Sequence, residues 1–215
     1  GVLIVDPFRD RLSFAHQTLL DYLMIRSYLK ESKTLQAFIL GHPQLPFIRP
    51  SIRTFLFYLH SMDNKDFSRE VIQILGSEKV AYHVKRLIVE SLSELSPITD
   101  VELNLIKHIH VSFPDLFNRF LQRVTSPEWF DAMHPVLTKA ILTKSENDST
   151  KATLLYALEK WMHIRPDKVV ECWKYVLNSP NPEIWSISRI IDTFSHWEIA
   201  GIEEVLEKLL KIEKE

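Results

Sequence analysis

Arg11-Leu12-Ser13-Phe14-Ala15-His16-Gln17-Thr18-Leu19-Leu20-Asp21-Tyr22-Leu23 changes its periodicity half-way along. Leu12, Phe14 and His16 alternate on one face, which is the period of a strand. Leu19, Leu20, Leu23, Met24, Ser27 and Tyr28 then recur at helical spacing. Upstream, Val2 to Val5 is rich in β-branched residues and Asp6-Pro7-Phe8-Arg9-Asp10 has turn chemistry, so the start of the chain reads as a β-hairpin. An isolated hairpin is marginal in water, so this one needs a partner surface.

From Gln17 on, the pattern is helical throughout. Ser32 reads as a cap before a short helix carrying Leu35, Phe38 and Ile39, which stops at Gly41 with Pro43 beyond it. A longer helix is predicted from about Pro50 to His60. Phe67, Val71, Ile74 and Leu75 mark the next, closed by Gly76. Ser77 then reads as the cap of a helix holding Val80, Val84, Leu87, Ile88 and Leu92. The chain restarts at Pro97-Ile98-Thr99-Asp100. Ser112-Phe113-Pro114-Asp115 has capping-box spacing. Ser126-Pro127 opens a helix that Pro135 should bend or split. Lys144 to Thr150 reads as a polar loop, and Arg165-Pro166 and Asn178-Ser179-Pro180-Asn181-Pro182 read as breaks. Ile184, Ile187, Ile191 and Phe194 predict a further helix, and Ile202, Val205, Leu206 and Leu209 a last one. The result is roughly a dozen helices with short links, so neighbours should be antiparallel. Pairs recur about every 30 to 40 residues, the range of HEAT-like arrays. The predicted fold class is therefore all-α, a HEAT-like α-solenoid of antiparallel helix pairs behind a short N-terminal hairpin, in preference to a closed bundle.

Composition narrows the function. The 215 residues are 46% hydrophobic and 25% charged, ordinary for a folded protein with a real core. A net charge of −2 argues against a general nucleic-acid binder. Cys172 is the only cysteine, which excludes a disulfide framework or a cysteine zinc site and fits a reducing, cytoplasmic compartment. No apolar run reaches membrane-spanning length. Gly1-Val2-Leu3-Ile4-Val5-Asp6 lacks an initiator Met and the flanks of a signal peptide, which points to a piece of a longer chain. The four glycines, Gly1, Gly41, Gly76 and Gly201, cannot build a phosphate-cradling loop, so this stretch is not a self-contained P-loop enzyme.

Phe14-Ala15-His16 followed by Leu19-Leu20-Asp21-Tyr22 resembles the end of the winged-helix domain in the STAND class of signalling NTPases, the NACHT and NB-ARC relatives. The family pattern there is Phe-x-His, then Phe/Leu-x-Glu-Tyr/Phe; Asp21 stands where the family usually has Glu. The resemblance covers about the first 30 residues. It implies an end of a winged-helix-like domain at residues 1–31, a bridging helical segment at 32–62 and a HEAT-like array at 63–215. It implies a nucleotide-binding domain upstream in cis, with ATP or ADP in the parent protein and no cofactor in this stretch. It also implies that His16 reaches the β-phosphate of bound ADP. An imidazole N–H can donate to a phosphate oxygen. Within this stretch alone, His16 packs or caps at the strand–helix junction.

Other constellations carry less. His108 and His110 lie about 200° apart on a helix, so their rings should diverge rather than share a metal. Trp129, Trp161 and Trp173 fit core stripes. Trp185 and Trp197 fit less clearly: core or groove packing is the preferred reading, and the alternative is an interaction surface, because tryptophan is enriched at binding hot spots. Arg165, Lys168 and Lys174, and separately Arg49 and Arg53, have acids such as Asp167, Glu171 and Glu183 nearby and read as solvated helix faces. No nucleophilic catalytic set stands out. Three readings follow. The first is a non-catalytic sensor or scaffold region of a STAND NTPase that binds a protein trigger or holds the parent closed. The second is a free-standing helical scaffold. The third is a HEAT-like DNA-repair glycosylase using Trp129, Asp131, Trp185 and Arg189, against which the acidic balance weighs.

Overall fold

The computed structural model describes residues 3–6, 11–14, 17–31, 34–62, 64–144, 148–178, 184–194, 203 and 205–207. His16 and Trp197 lie outside the described residues, as does Ser32. The chain divides into two compact units, Gly1–Ser91 and Leu92–Glu215.

In the first unit, β1 (Leu3–Asp6) pairs antiparallel with β2 (Arg11–Phe14), with Leu3 opposite Phe14 and Val5 opposite Leu12. The rest is helical: α1 (Gln17–Lys30), α2 (Leu35–Leu40), a 3-10 turn (Pro46–Ile48), α3 (Arg49–Met62), α4 (Asn64–Gly76) and α5 (Tyr82–Leu92). Helix α1 packs on α3, α2 on both α3 and α4, and α3 on α4. The compact units part at Ser91, and within the first unit α3 packs on α1 across residue 31 and on α4 across residue 62. Phe38 is the hub, its ring edge-on to Tyr28 at 5.1 Å and to Phe55 at 5.6 Å, which draws α1, α2 and α3 together.

Helix ends in this unit are satisfied from a distance. Thr34, not Ser32, caps α2: its Oγ1 accepts the Ala37 N–H at 3.1 Å, and Glu70 reaches from α4 to accept the Leu35 N–H at 2.8 Å. Gly41 closes α2 where the sequence placed the stop, with φ of −80°. A Cβ there would lie 3.1 Å from the Ala37 carbonyl oxygen, and this close approach is what favours glycine. Ser77 does not cap α5. Gln44 does that work from the α2–α3 loop, accepting the Ala81 N–H at 2.7 Å and donating to the Lys79 carbonyl at 2.9 Å.

The second unit contains α6 (Asp100–Ser112), α7 (Pro114–Arg123), α8 (Pro127–Met133), a π-helical segment (His134–Thr138), α9 (Lys139–Lys144), α10 (Asp148–Trp161), α11 (Pro166–Leu177) and α12 (Ile184–Phe194). The capping box lies at Thr99 and Glu102, with the Thr99 N–H donated to Glu102 Oε2 at 2.7 Å; this bond explains why Glu102 is buried. Ser112-Phe113-Pro114-Asp115 is not a capping box. Ser112 belongs to α6, and Phe113 alone joins α6 to α7, with no side-chain cap. Pro114 has no N–H, so one donor fewer needs a partner. Ser126 caps α8, its Oγ accepting the Trp129 N–H. Pro135 splits the following helix by shifting it into a π turn, because its ring excludes a regular bond to the preceding turn.

Packing in this unit joins every second helix as well as neighbours. Helix α7 lies on α10, α10 on α12, and α9 on α11, while α6 meets α7 and α11 meets α10 and α12. Trp129, Phe130 and Trp161 are fully buried. Phe130 stacks on Trp161 at 4.5 Å with 4° between the ring planes, and Trp129 meets Phe120 edge-on at 5.0 Å. Lys160 turns its ammonium to the Leu121 and Gln122 carbonyls at the end of α7.

Trp161→Ala is expected to cost about 3–5 kcal/mol in urea unfolding, since it opens a cavity under Phe130 and leaves the Thr125 carbonyl without its 3.3 Å indole donor. Glu70 has its carboxyl pKa raised, foremost by burial, with the Leu35 N–H working against the shift. A raised folded-state pKa means that the ionised form is penalised near neutrality and that stability recovers as pH falls through the folded pKa towards the unfolded one. Glu70→Gln keeps an acceptor for Leu35, so it should match or exceed the parent protein in stability near pH 7. That advantage should shrink as pH is lowered towards about 4 in paired unfolding curves.

Candidate functional site

Helix α12 buries a face the sequence did not indicate. Ser186, Ile190 and Thr193 are buried, whereas Ile184 is 83% exposed and Ile191 50%. Two members of the predicted stripe, Ile184 and Ile191, are thus turned outwards, while Ile187 is half-buried. The buried side is set by polar partners on α10: the Thr193 hydroxyl lies 3.1 Å from Glu159 Oε1 and 2.9 Å from the Arg189 carbonyl, donating to one at a time. Arg189 forms an ion pair with the same Glu159.

Two cation–ring pairs run along the α10–α12 seam. The Arg189 guanidinium carbon sits 4.1 Å from the Tyr156 ring centroid, and Lys151 Nζ lies 5.8 Å from that of Trp185. Lys151 is almost fully buried, while Tyr156 is 57% and Trp185 38% exposed. The outward surface therefore carries Tyr156, Ile184, Trp185 and Ile191, with both aromatic rings braced from beneath by cations. Tyrosine, tryptophan and arginine are the types that dominate interface energetics, and bracing lowers the entropy lost on contact. Trp185 was legible in the sequence. Tyr156 and Lys151 were not, although the i, i+4 spacing of Trp185 and Arg189 could have signalled a shared neighbour.

A second polar seam joins α8 and the π segment to α11. Asp131 accepts Arg165 Nε at 3.0 and 3.1 Å, Arg165 Nη2 at 2.9 Å and Lys168 Nζ at 2.7 Å. The Arg165 hydrogen bonds foremost, and Lys168 after them, hold the Asp131 carboxyl below its ordinary range. This basic pair thus hydrogen-bonds to Asp131, more than thirty residues back in the chain. One turn along, His134 Nε2 lies 3.5 Å from Glu171 Oε2, and the Tyr175 hydroxyl donates to Glu171. That bond, with burial, pushes the Tyr175 phenol up to about 12, and burial pushes the Cys172 thiol well above its ordinary value. Neither group is poised as a nucleophile near neutral pH.

The glycosylase residues do not assemble. Trp129 is fully buried, Asp131 is engaged by Arg165 and Lys168, and Arg189 pairs with Glu159. His108 turns to Ser112 and Phe113, while His110 packs on Phe117 at 4.8 Å, where burial lowers its pKa. Arg53 lies over the Phe57 ring at 5.3 Å. Among the described residues no group of three or more His, Cys, Asp or Glu side chains could hold a metal ion, and no helix is long and apolar enough to cross a membrane. No family model matches the chain, and comparisons with curated proteins and with solved structures find no significant match.

Asp131 carries a depressed folded-state pKa, so its stabilising contribution is present above the unfolded value and is lost as pH falls through the folded one. Asp131→Asn should therefore be less stable than the parent protein at pH 7, and the gap should close below about pH 4 in unfolding curves. Because the pair is about one-third exposed, salt should narrow the gap at pH 7 as well.

Proposed function

We propose that this chain is a non-catalytic helical recognition region of a larger, nucleotide-switched STAND NTPase. In this reading residues 1–31 end a winged-helix-like domain, residues 32–62 bridge, and residues 63–215 form a HEAT-like solenoid. The observation that carries it is the α10–α12 surface, where Tyr156, Ile184, Trp185 and Ile191 stand out around the Arg189–Glu159 pair. Such a surface suits a protein trigger, or a domain of the same chain that it holds closed.

Support for the solenoid comes from the alternating packing of the second unit. One layer of α7, α10 and α12 and another containing α9 and α11 is the pattern of stacked helix hairpins. Support for the N-terminal assignment comes from the strand pair running into α1, which carries Asp21 and Tyr22. ATP or ADP would be held upstream in cis, with His16 reaching the phosphate of ADP. A trigger that binds the open state more tightly would shift the equilibrium by that difference in affinity.

The test uses the natural protein extended upstream of Gly1. A G-x-x-x-x-G-K-[ST] loop followed by an acidic strand should be found there. ADP should co-purify with that protein, and His16→Ala should lower the retained ADP and raise basal ATP turnover. A start codon close to Gly1, or unchanged nucleotide content in His16→Ala, would replace this reading with a free-standing helical scaffold.

A further inference from the structure

Tyr22, Ile25 and Arg26 share one face of α1, at i, i+3 and i+4, and Thr54 and Tyr58 share one face of α3, at i and i+4. Where α1 packs on α3, these five side chains line a cavity of about 270 Å³. Ile25 is buried and gives the cavity an apolar wall, whereas Tyr22, Arg26, Thr54 and Tyr58 are all exposed and reachable from solvent.

The chemistry of the lining constrains what fits. Among the described residues that line it, Arg26 carries the one charge and no acid accompanies it, so the cavity favours an anion. The Arg26 guanidinium makes no ion pair among the described residues, in contrast to Arg69, Arg86, Arg165 and Arg189, each of which is neutralised by a neighbouring carboxylate. A guanidinium presents a planar fork of donors that matches a carboxylate in two parallel hydrogen bonds. Two phenol rings offer faces and edges to another ring, and the Thr54 and tyrosine hydroxyls can add donors at its rim. The volume falls just below the range of drug-sized pockets, roughly 300–1,000 Å³, so the occupant is small.

We infer that the α1–α3 cavity binds a small planar aromatic carboxylate, with its ring against Tyr22 and Tyr58 and its carboxylate on Arg26. The site belongs to the first compact unit and shares no residue with the α10–α12 surface, so it holds whether or not the recognition reading above is right. The ring supplies burial against Ile25 and the phenols, while the guanidinium supplies orientation and charge selectivity. A ligand lacking either part forfeits one of the two contributions.

Benzoate titrated into the ¹⁵N-labelled chain tests this directly. Saturable shifts are expected, confined to amides of α1 and α3 and to the Arg26 Nε–Hε resonance. Cyclohexanecarboxylate, which keeps the charge and loses the ring, and benzamide, which keeps the ring and loses the charge, should each bind about tenfold more weakly or worse. Arg26→Gln should weaken benzoate by a similar factor, and because the side chain is exposed the remaining spectrum should be unchanged. Tyr58→Leu, which keeps apolar bulk and removes the phenol, should erase the preference for benzoate over cyclohexanecarboxylate. Absence of saturation by about 20 mM benzoate, shifts spread over helices outside α1 and α3, or equal binding by Arg26→Gln would overturn the inference. Equal binding of cyclohexanecarboxylate to the unmutated protein would overturn its aromatic part.

Discussion

The second unit is organised around the parallel stack of Phe130 on Trp161. The two rings come from α8 and α10, which are separated in the chain by the π segment, α9 and a further connection, so the contact closes a long loop. Its position is specified by a polar group at each side. The Trp161 indole donates to the Thr125 carbonyl, next to the Ser126 cap of α8, and the adjacent Lys160 closes the end of α7. An aromatic stack supplies the burial, but it tolerates sliding and rotation. The hydrogen bonds to fixed carbonyls select one arrangement of the rings.

The same division of labour recurs at several helix ends. Apolar stripes bring two helices together, and a polar side chain from one then satisfies a backbone donor or acceptor at the end of another. Glu70 does this for α2 and Lys160 for α7, and Gln44 does it for the start of α5 from the α2–α3 loop. Glu70 and Gln44 are partly withdrawn from water, so an unpaired partner there would cost more than the bond contributes when made. Helix length and placement are thereby coupled: moving one helix would expose the orphan amides of its neighbour.

Much of the fold was legible in the linear pattern. The helical periodicity from Gln17 onward, the burial of Trp129, Trp161 and Trp173, the Ser126 cap and the disturbance at Pro135 all follow from local chemistry. Errors arose where a local signal competed with a distant partner. Ser77 and Ser112 have capping chemistry, yet Gln44 and a proline-led junction take those places. The α12 stripe misled for a related reason. Isoleucines at helical spacing imply a buried face, but Glu159 on α10 draws Thr193 and Arg189 inwards and leaves Ile184 and Ile191 exposed. The candidate surface was half visible, through Trp185. Its companions Tyr156 and Lys151 come from a different helix, and nothing in their own neighbourhood marks them.

By itself the sequence determined that this protein is built of many short helices with a strand pair at its head, since helix propensity, capping residues and prolines act within a few positions of one another. Tertiary structure alone decided which face of α12 is inward and which charges are paired. Asp131 with Arg165 and Lys168, and Glu70 with Leu35, are separated by more than thirty residues, and their energies depend on distance in space and on exclusion of water. Linear spacing constrains neither quantity, so the candidate surface on α10 and α12 and the cavity between α1 and α3 emerge only once the helices are packed.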